Sequence, residues 1–165
     1  MTISYSKPSA VFARRPGRPK RDAGAFTILV ADDNETNVKV LQYYLAKFDC
    51  AVIVARDGGE AVRAFRTHKI DAILMDIQMP DLDGFEATRE IRKIERGEGA
   101  QTVPIVAVTA HVKPADQHLC IDAGMNDYLQ KPVHFATLCD ALRVWAPALS
   151  RRATPRATEG IAAGG

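Results

Sequence analysis

The sequence predicts a doubly wound α/β domain: a five-stranded parallel sheet covered by five helices. Three observations carry this expectation. Short, β-branched apolar runs alternate strictly with segments of helical period. The runs are almost continuously apolar, as strands buried on both faces are. Charged or hydroxyl residues stand just beyond their carboxyl ends, where open α/β sheets collect functional groups.

The first run, TILVA at 27–31, ends on Asp32-Asp33, and Val38, Leu41, Leu45 and Phe48 follow at helical spacing. AVIVA at 51–55 comes next, then Ala61, Ala64 and Phe65. The third run, AILM at 72–75, finishes on Asp76 just ahead of a proline turn, although a buried strand does not ordinarily end on a bare carboxylate. Asp83-Gly84 closes that turn into a helix striped by Phe85, Thr88 and Ile91. PIVAV at 104–108 leads to Thr109, and the helical segment Pro114 to Ala123, stopped by Gly124, has a thin apolar face marked by Leu119 and Cys120. DYL at 127–129 leads to Lys131-Pro132, and Phe135, Leu138, Leu142 and Trp145 stripe a last helix that Pro147 closes.

At 165 residues and 47% apolar, the chain can bury one core but not two. Residues 1–25 hold six Lys/Arg against Asp22, and 146–165 hold three Arg against Glu159; residues 26–145 keep 13 basic and 18 acidic side chains, a net of −5. The expected organisation is a disordered basic arm over 1–25, one acidic domain over 26–146 and a disordered tail over 147–165. Cys50, Cys120 and Cys139 are odd in number and lack paired spacing, which points to neither disulfide framework nor zinc site and fits a reducing cytoplasm. No apolar run approaches the roughly 20 residues that cross a bilayer, and no secretory leader stands out.

Asp32, Asp33, Asp76, Thr109 and Lys131 converge on one sheet edge if the strands are parallel. Carboxylates crowded together repel unless a cation lies among them. An ammonium beside them suits a phosphoryl group.

The ordered set Asp32-Asp33, Met75-Asp76-Ile77-Gln78-Met79-Pro80, Asp83-Gly84, Thr109-Ala110, Asp127-Tyr128 and Lys131-Pro132 resembles the receiver domain of two-component response regulators, of the type served by hybrid histidine kinases. The resemblance implies a flavodoxin-like strand order, 2-1-3-4-5, the order for which the chemotaxis receiver is a standard example. It implies Mg2+ held by Asp33, Asp76 and the Gln78 carbonyl, with Asp32 acting through water, and Asp76 as the phospho-accepting nucleophile. Lys131, Thr109 and the backbone N–H groups of Ile77 and Ala110 would bind the transferring oxygens, and a cis Lys131-Pro132 bond is expected. Thr109 and Tyr128 would form the switch, and Gln78 with His111 would tune the phosphate lifetime. The implied partners are a histidine kinase or histidine phosphotransfer protein and a downstream protein target, with no membrane.

Each residue has a plainer alternative. Asp33 suits an N-cap for the helix near Glu35, and Tyr128 suits an edge aromatic. RRPGRPKR resembles the DNA-binding AT-hook, but Pro16 stands in place of the arginine expected before its glycine, so the segment is read first as a solvated basic linker, with a DNA-associated regulator using this arm as the alternative. An aspartyl-phosphate hydrolase on another doubly wound fold is disfavoured because Gln78 stands where its second aspartate belongs. Met1 and the short stretch after Trp145 suggest a stand-alone receiver; the rival is a receiver segment of a longer hybrid kinase.

Overall fold

The computed structural model describes residues 25–97, 99, 102–110 and 114–150. The basic arm, His111 and the chain after Ser150 lie outside them. Five strands, β1 (Phe26–Ala31), β2 (Cys50–Ala55), β3 (Ala72–Asp76), β4 (Ile105–Thr109) and β5 (Asp127–Gln130), form one parallel sheet in the order β2-β1-β3-β4-β5. The helices are α1 (Glu35–Leu45), α2 (Gly58–Thr67), α3 (Gly84–Gly97), α4 (Pro114–Ala123), α5 (Phe135–Trp145) and α6 (Pro147–Ser150). The expected order is borne out, with six helices rather than five. None is long and apolar enough to cross a membrane among the described residues.

Strand residues divide between two cores by their alternation across the pleat. Ile28, Val30, Leu74, Val106, Val108 and Leu129 meet Val38, Leu41, Leu138 and Leu142 on the side of α1 and α5. Leu29, Ala31, Ile73, Met75, Ile105 and Ala107 meet Ala61, Ala87, Ile91 and Cys120 on the side of α2, α3 and α4. Burial of a side chain such as Leu29 or Ile73 contributes about 1.5–3 kcal/mol, and both are fully enclosed.

Local chemistry sets the helix starts. Asn34 accepts the N–H groups of Thr36 and Asn37 through its side-chain oxygen, capping α1. Asp83 accepts from Glu86 N–H at 2.8 Å while Glu86 Oε2 accepts the Asp83 N–H at 3.2 Å, a reciprocal capping box for α3. Asp57 and Glu60 open α2 in a similar way, Asp57 accepting the Glu60 N–H and Glu60 accepting the Arg56 N–H.

Three expectations need correction. Phe48 lies beyond the end of α1 and packs from the following turn, with its ring 6.2 Å from Phe135. Leu119, assigned to the apolar face of α4, is exposed, and Cys120 alone of that pair is buried. Residues 147–150, expected in the tail, instead form α6, which Pro147 starts because a missing N–H costs nothing in a first helical turn, and Leu149 is fully buried against the α1/α5 core.

A polar network that charge patterning hides ties α3 to the far end of the sheet. The Arg92 guanidinium donates to both Glu95 oxygens, to the Val103 and Gly124 carbonyls and to Asn126 Oδ1, at 2.7–3.0 Å. Glu95 also accepts the Val103 N–H, and Asn126 accepts the Ile105 N–H. Arg92 and Glu95 are buried, and Gly124, at φ +95, leaves room where a Cβ would lie 3.1 Å from Arg92 Cγ.

Candidate phosphoryl-transfer site

Parallel register brings the acidic residues together. Ala31 pairs with Met75, so Asp32 leaves β1 beside Asp76 at the end of β3. Thr109 pairs with Gln130 at the ends of β4 and β5, and the Lys131 N–H donates to the Thr109 carbonyl at 2.7 Å. The Lys131–Pro132 peptide is cis, as expected.

Lys131 Nζ lies 2.8 Å from Asp76 Oδ2 and 2.9 Å from Asp32 Oδ2. Asp32 and Asp76 are buried while Asp33 is exposed, and one oxygen from each of the three lies within 4.8 Å of the others. Burial raises the Asp76 pKa above the ordinary carboxylate value, with repulsion from Asp32 adding to it; Lys131 and the Gln78 N–H oppose the rise without cancelling it. Burial works against the Lys131 charge, but hydrogen bonding and attraction from Asp76 and Asp32 outweigh it and raise its pKa. The buried site therefore holds its acids beside an ammonium that stays charged.

Asn34, not Asp33, caps α1, so the capping alternative for Asp33 fails and its carboxylate belongs with the acidic group. Three hard oxygen donors suit magnesium or calcium over softer metals. Asp32 Oδ2 supports the fit: it is buried and its one partner among the described residues is the Lys131 ammonium at 2.9 Å, which leaves a lone pair for a cation or its water. Asp32, Asp33 and Asp76 are the side chains that would hold a divalent cation.

The turn after Asp76 is tightly built. Asp81 has φ 64 with the Leu82 N–H donating to the Pro80 carbonyl, a γ-turn geometry. Gly84 packs where a Cβ would run into the Asp76 carbonyl. Gln78 is exposed, and its N–H donates to Asp76 Oδ1 at 3.2 Å. The Ile77 N–H, expected to face the phosphoryl group, instead donates to the Val108 carbonyl at 3.2 Å and continues the β3–β4 ladder.

Thr109 is buried at the end of β4. Tyr128 is half-buried on β5, and its hydroxyl accepts from Gln117 Nε2 of α4 at 3.2 Å. It thus joins β5 to α4 rather than standing as a mere edge aromatic. Sequence reasoning missed Asn37, whose Nδ2 donates to Asp32 Oδ1 at 3.3 Å. The signal was its place one turn beyond the acidic pair. Asn37, Val40, Leu41, Val108, Lys131, Pro132 and Val133 line a cleft of about 70 Å³ beside the site. That is far below the roughly 300 Å³ of small-molecule pockets, so its scale suits a docking side chain.

Comparison with known proteins agrees with this geometry. The profile of the family described as "Response regulator receiver domain" matches residues 28–143. The chain is 42% identical over 112 residues to hybrid signal transduction histidine kinase I of Dictyostelium discoideum, covering 65% of this chain and 6% of that protein. It is 34% identical over 137 residues to the sensor protein GacS of Pseudomonas syringae pv. syringae, covering 83% and 15% respectively. It thus spans a small fraction of the length of these relatives. A crystal structure of the receiver domain of sensor histidine kinase PA1611 from Pseudomonas aeruginosa, with magnesium coordinated in its active-site cleft, is 42% identical with a TM-score of 0.67, covering 75% of this chain and 99% of that one. A co-crystal structure of the Saccharomyces cerevisiae histidine phosphotransfer protein Ypd1 with the receiver domain of Ssk1 gives a TM-score of 0.70 at 32% identity, covering 76% and 92%.

Proposed function

The chain belongs to the response regulator receiver family, and we propose that it takes a phosphoryl group from a phosphohistidine onto Asp76 and uses the modified state to change protein contacts or pass the group onward. One observation carries this reading: Lys131 Nζ bridges Asp76 and Asp32 within 3 Å of each, with Asp33 beside them. An Asp76 oxygen forms the new P–O bond as the P–N bond to the donor imidazole breaks, and that nitrogen keeps the electron pair. Lys131 neutralises charge on the transferring group, and the Thr109 hydroxyl and the Gln78 and Ala110 N–H groups receive its oxygens. Asp33, Asp76 and the Gln78 carbonyl, with Asp32 through water, would hold Mg2+, which would supply further charge neutralisation there.

In this reading Thr109 and Tyr128 convey the change towards α4, and Gln78 and His111 set how long the phosphate lasts. The donor, a histidine kinase or histidine phosphotransfer protein, docks over the cleft formed by α1 and the β5–α5 turn, where Val40 is 38% exposed. The setting is cytoplasmic. The turnover of the protein's own aspartyl phosphate is the extent of its catalysis.

Incubation with Mg2+ and a small acyl phosphate, followed by mass spectrometry, tests the reading. Base-labile phosphate is expected on Asp76 and absent from Asp76→Asn; an unlabelled native chain, or equal labelling of both, would overturn it. A second reading, a receiver segment of a longer hybrid kinase, is favoured by the relatives being such kinases, of which this chain spans 6% and 15% in the two cases above. The size of the endogenous protein on an immunoblot decides between them.

A further inference from the structure

Asp32 is the most enclosed acid of the site, 1% exposed, and its two oxygens are held differently. Oδ1 accepts the Asn34 N–H at 2.8 Å and Asn37 Nδ2 at 3.3 Å. Oδ2 faces Lys131 Nζ at 2.9 Å as an ion pair. An ionised carboxylate only accepts, so the Asn37 amide must present its NH2 end to Asp32.

One hydrogen bond leaves a carboxylate free to turn about its broad terminal torsion. The Asn34 N–H comes from the loop that follows Asp32 and would move with it. The Asn37 donor comes from the first turn of α1, which is held in place by burial of Val38 and Leu41 in the core. With both donors on Oδ1, the second oxygen stays turned towards Lys131 and the neighbouring acids.

We propose that Asn37 is a positioning residue for the acidic site, holding Asp32 so that Oδ2 faces the cation and its water. This deepens the function proposed above and rests on its magnesium site. Hydrogen-bond partners that orient metal ligands commonly contribute 10–100-fold to affinity. Because Asp32 would act through water, a loss of about three- to tenfold is expected on removing the Asn37 donor.

The test is calorimetric titration of the full chain with Mg2+, together with Asn37→Ala, Asn37→Ser and Val40→Ala, and thermal midpoints measured in chelator. Val40 lines the same cleft as Asn37 and makes no contact with the acidic site by hydrogen bond or charge. The unsubstituted chain and Val40→Ala should bind alike, both Asn37 variants should bind about three- to tenfold more weakly, and all four midpoints should agree. Unchanged affinity in the Asn37 variants would overturn the proposal. So would equal weakening in Val40→Ala, which would assign the effect to cleft shape, or weakening that follows a fallen midpoint, which would assign it to folding. Failure of the unsubstituted chain to bind Mg2+ would overturn the magnesium reading itself, a separate result.

Discussion

Lys131 and Asp76, 55 residues apart in sequence, meet at 2.8 Å, and the same ammonium reaches Asp32 at 2.9 Å. One cation thus offsets two buried carboxylates. Removing it leaves like charges facing each other in a low-dielectric setting, where the cost of an unpaired buried charge is large.

Lys131→Met is therefore expected to destabilise the metal-free chain by about 2–3 kcal/mol, less than for a fully buried pair because the lysine is partly exposed. Mg2+ should restore more stability to the variant than to the unsubstituted chain, since it replaces the missing positive charge. Thermal midpoints with and without Mg2+ check both points.

Gly84→Ala forces a Cβ against the Asp76 carbonyl, which is backbone and yields little. A loss of about 2–4 kcal/mol is expected, with the phosphorylation rate falling because the shift is delivered directly to Asp76. Urea denaturation and labelling by an acyl phosphate measure the two effects.

Arg92→Met strands Glu95, a carboxylate 1% exposed. The expected cost is about 3–5 kcal/mol. Adding Glu95→Gln should recover part of it, since a neutral amide is less costly to bury than an unpaired charge. A denaturant double-mutant cycle reads the coupling.

Burial, with the nearby Asp49 charge adding to it, raises the Cys50 thiol from an ordinary 9.0 to about 11. Between those values the folded chain keeps a proton that the unfolded chain releases, so the stability of the fold should fall as pH rises from about 9 to 11. Alkylation of Cys50 should be slow at pH 8 and accelerate towards pH 11. Cys50→Ser should flatten this part of the stability profile in urea titrations.

The sheet was legible because each strand is a short β-rich apolar run closed by a turn or a charged residue, and parallel pairing then brings residues 32, 76, 109 and 131 to one edge. Helix α4 was placed correctly by Pro114 and Gly124, but Leu119 was misread because Leu119, Cys120 and Ile121 stand side by side and carry no helical period. Leu149 was missed because it stands alone after a proline. Nothing in REIRKIERGEG marks Arg92 and Glu95 off from the charges around them; only tertiary packing shows that Arg92 donates to the Val103 and Gly124 carbonyls and that Glu95 accepts from Arg92 and from the Val103 N–H. At the site, the carboxylates were legible as chemistry. Asn37 was not, since its place one turn beyond the acidic pair equally fits a surface amide.

The Arg92 bond to the Gly124 carbonyl moors one end of α4. A ten-residue helix is about 15 Å long, so a tilt of roughly ten degrees about that mooring carries the Pro114 end by about 2.5 Å while leaving the Gly124 end in place. Any such tilt would be largest at the end nearest the chemistry and smallest where the buried guanidinium holds the Gly124 carbonyl.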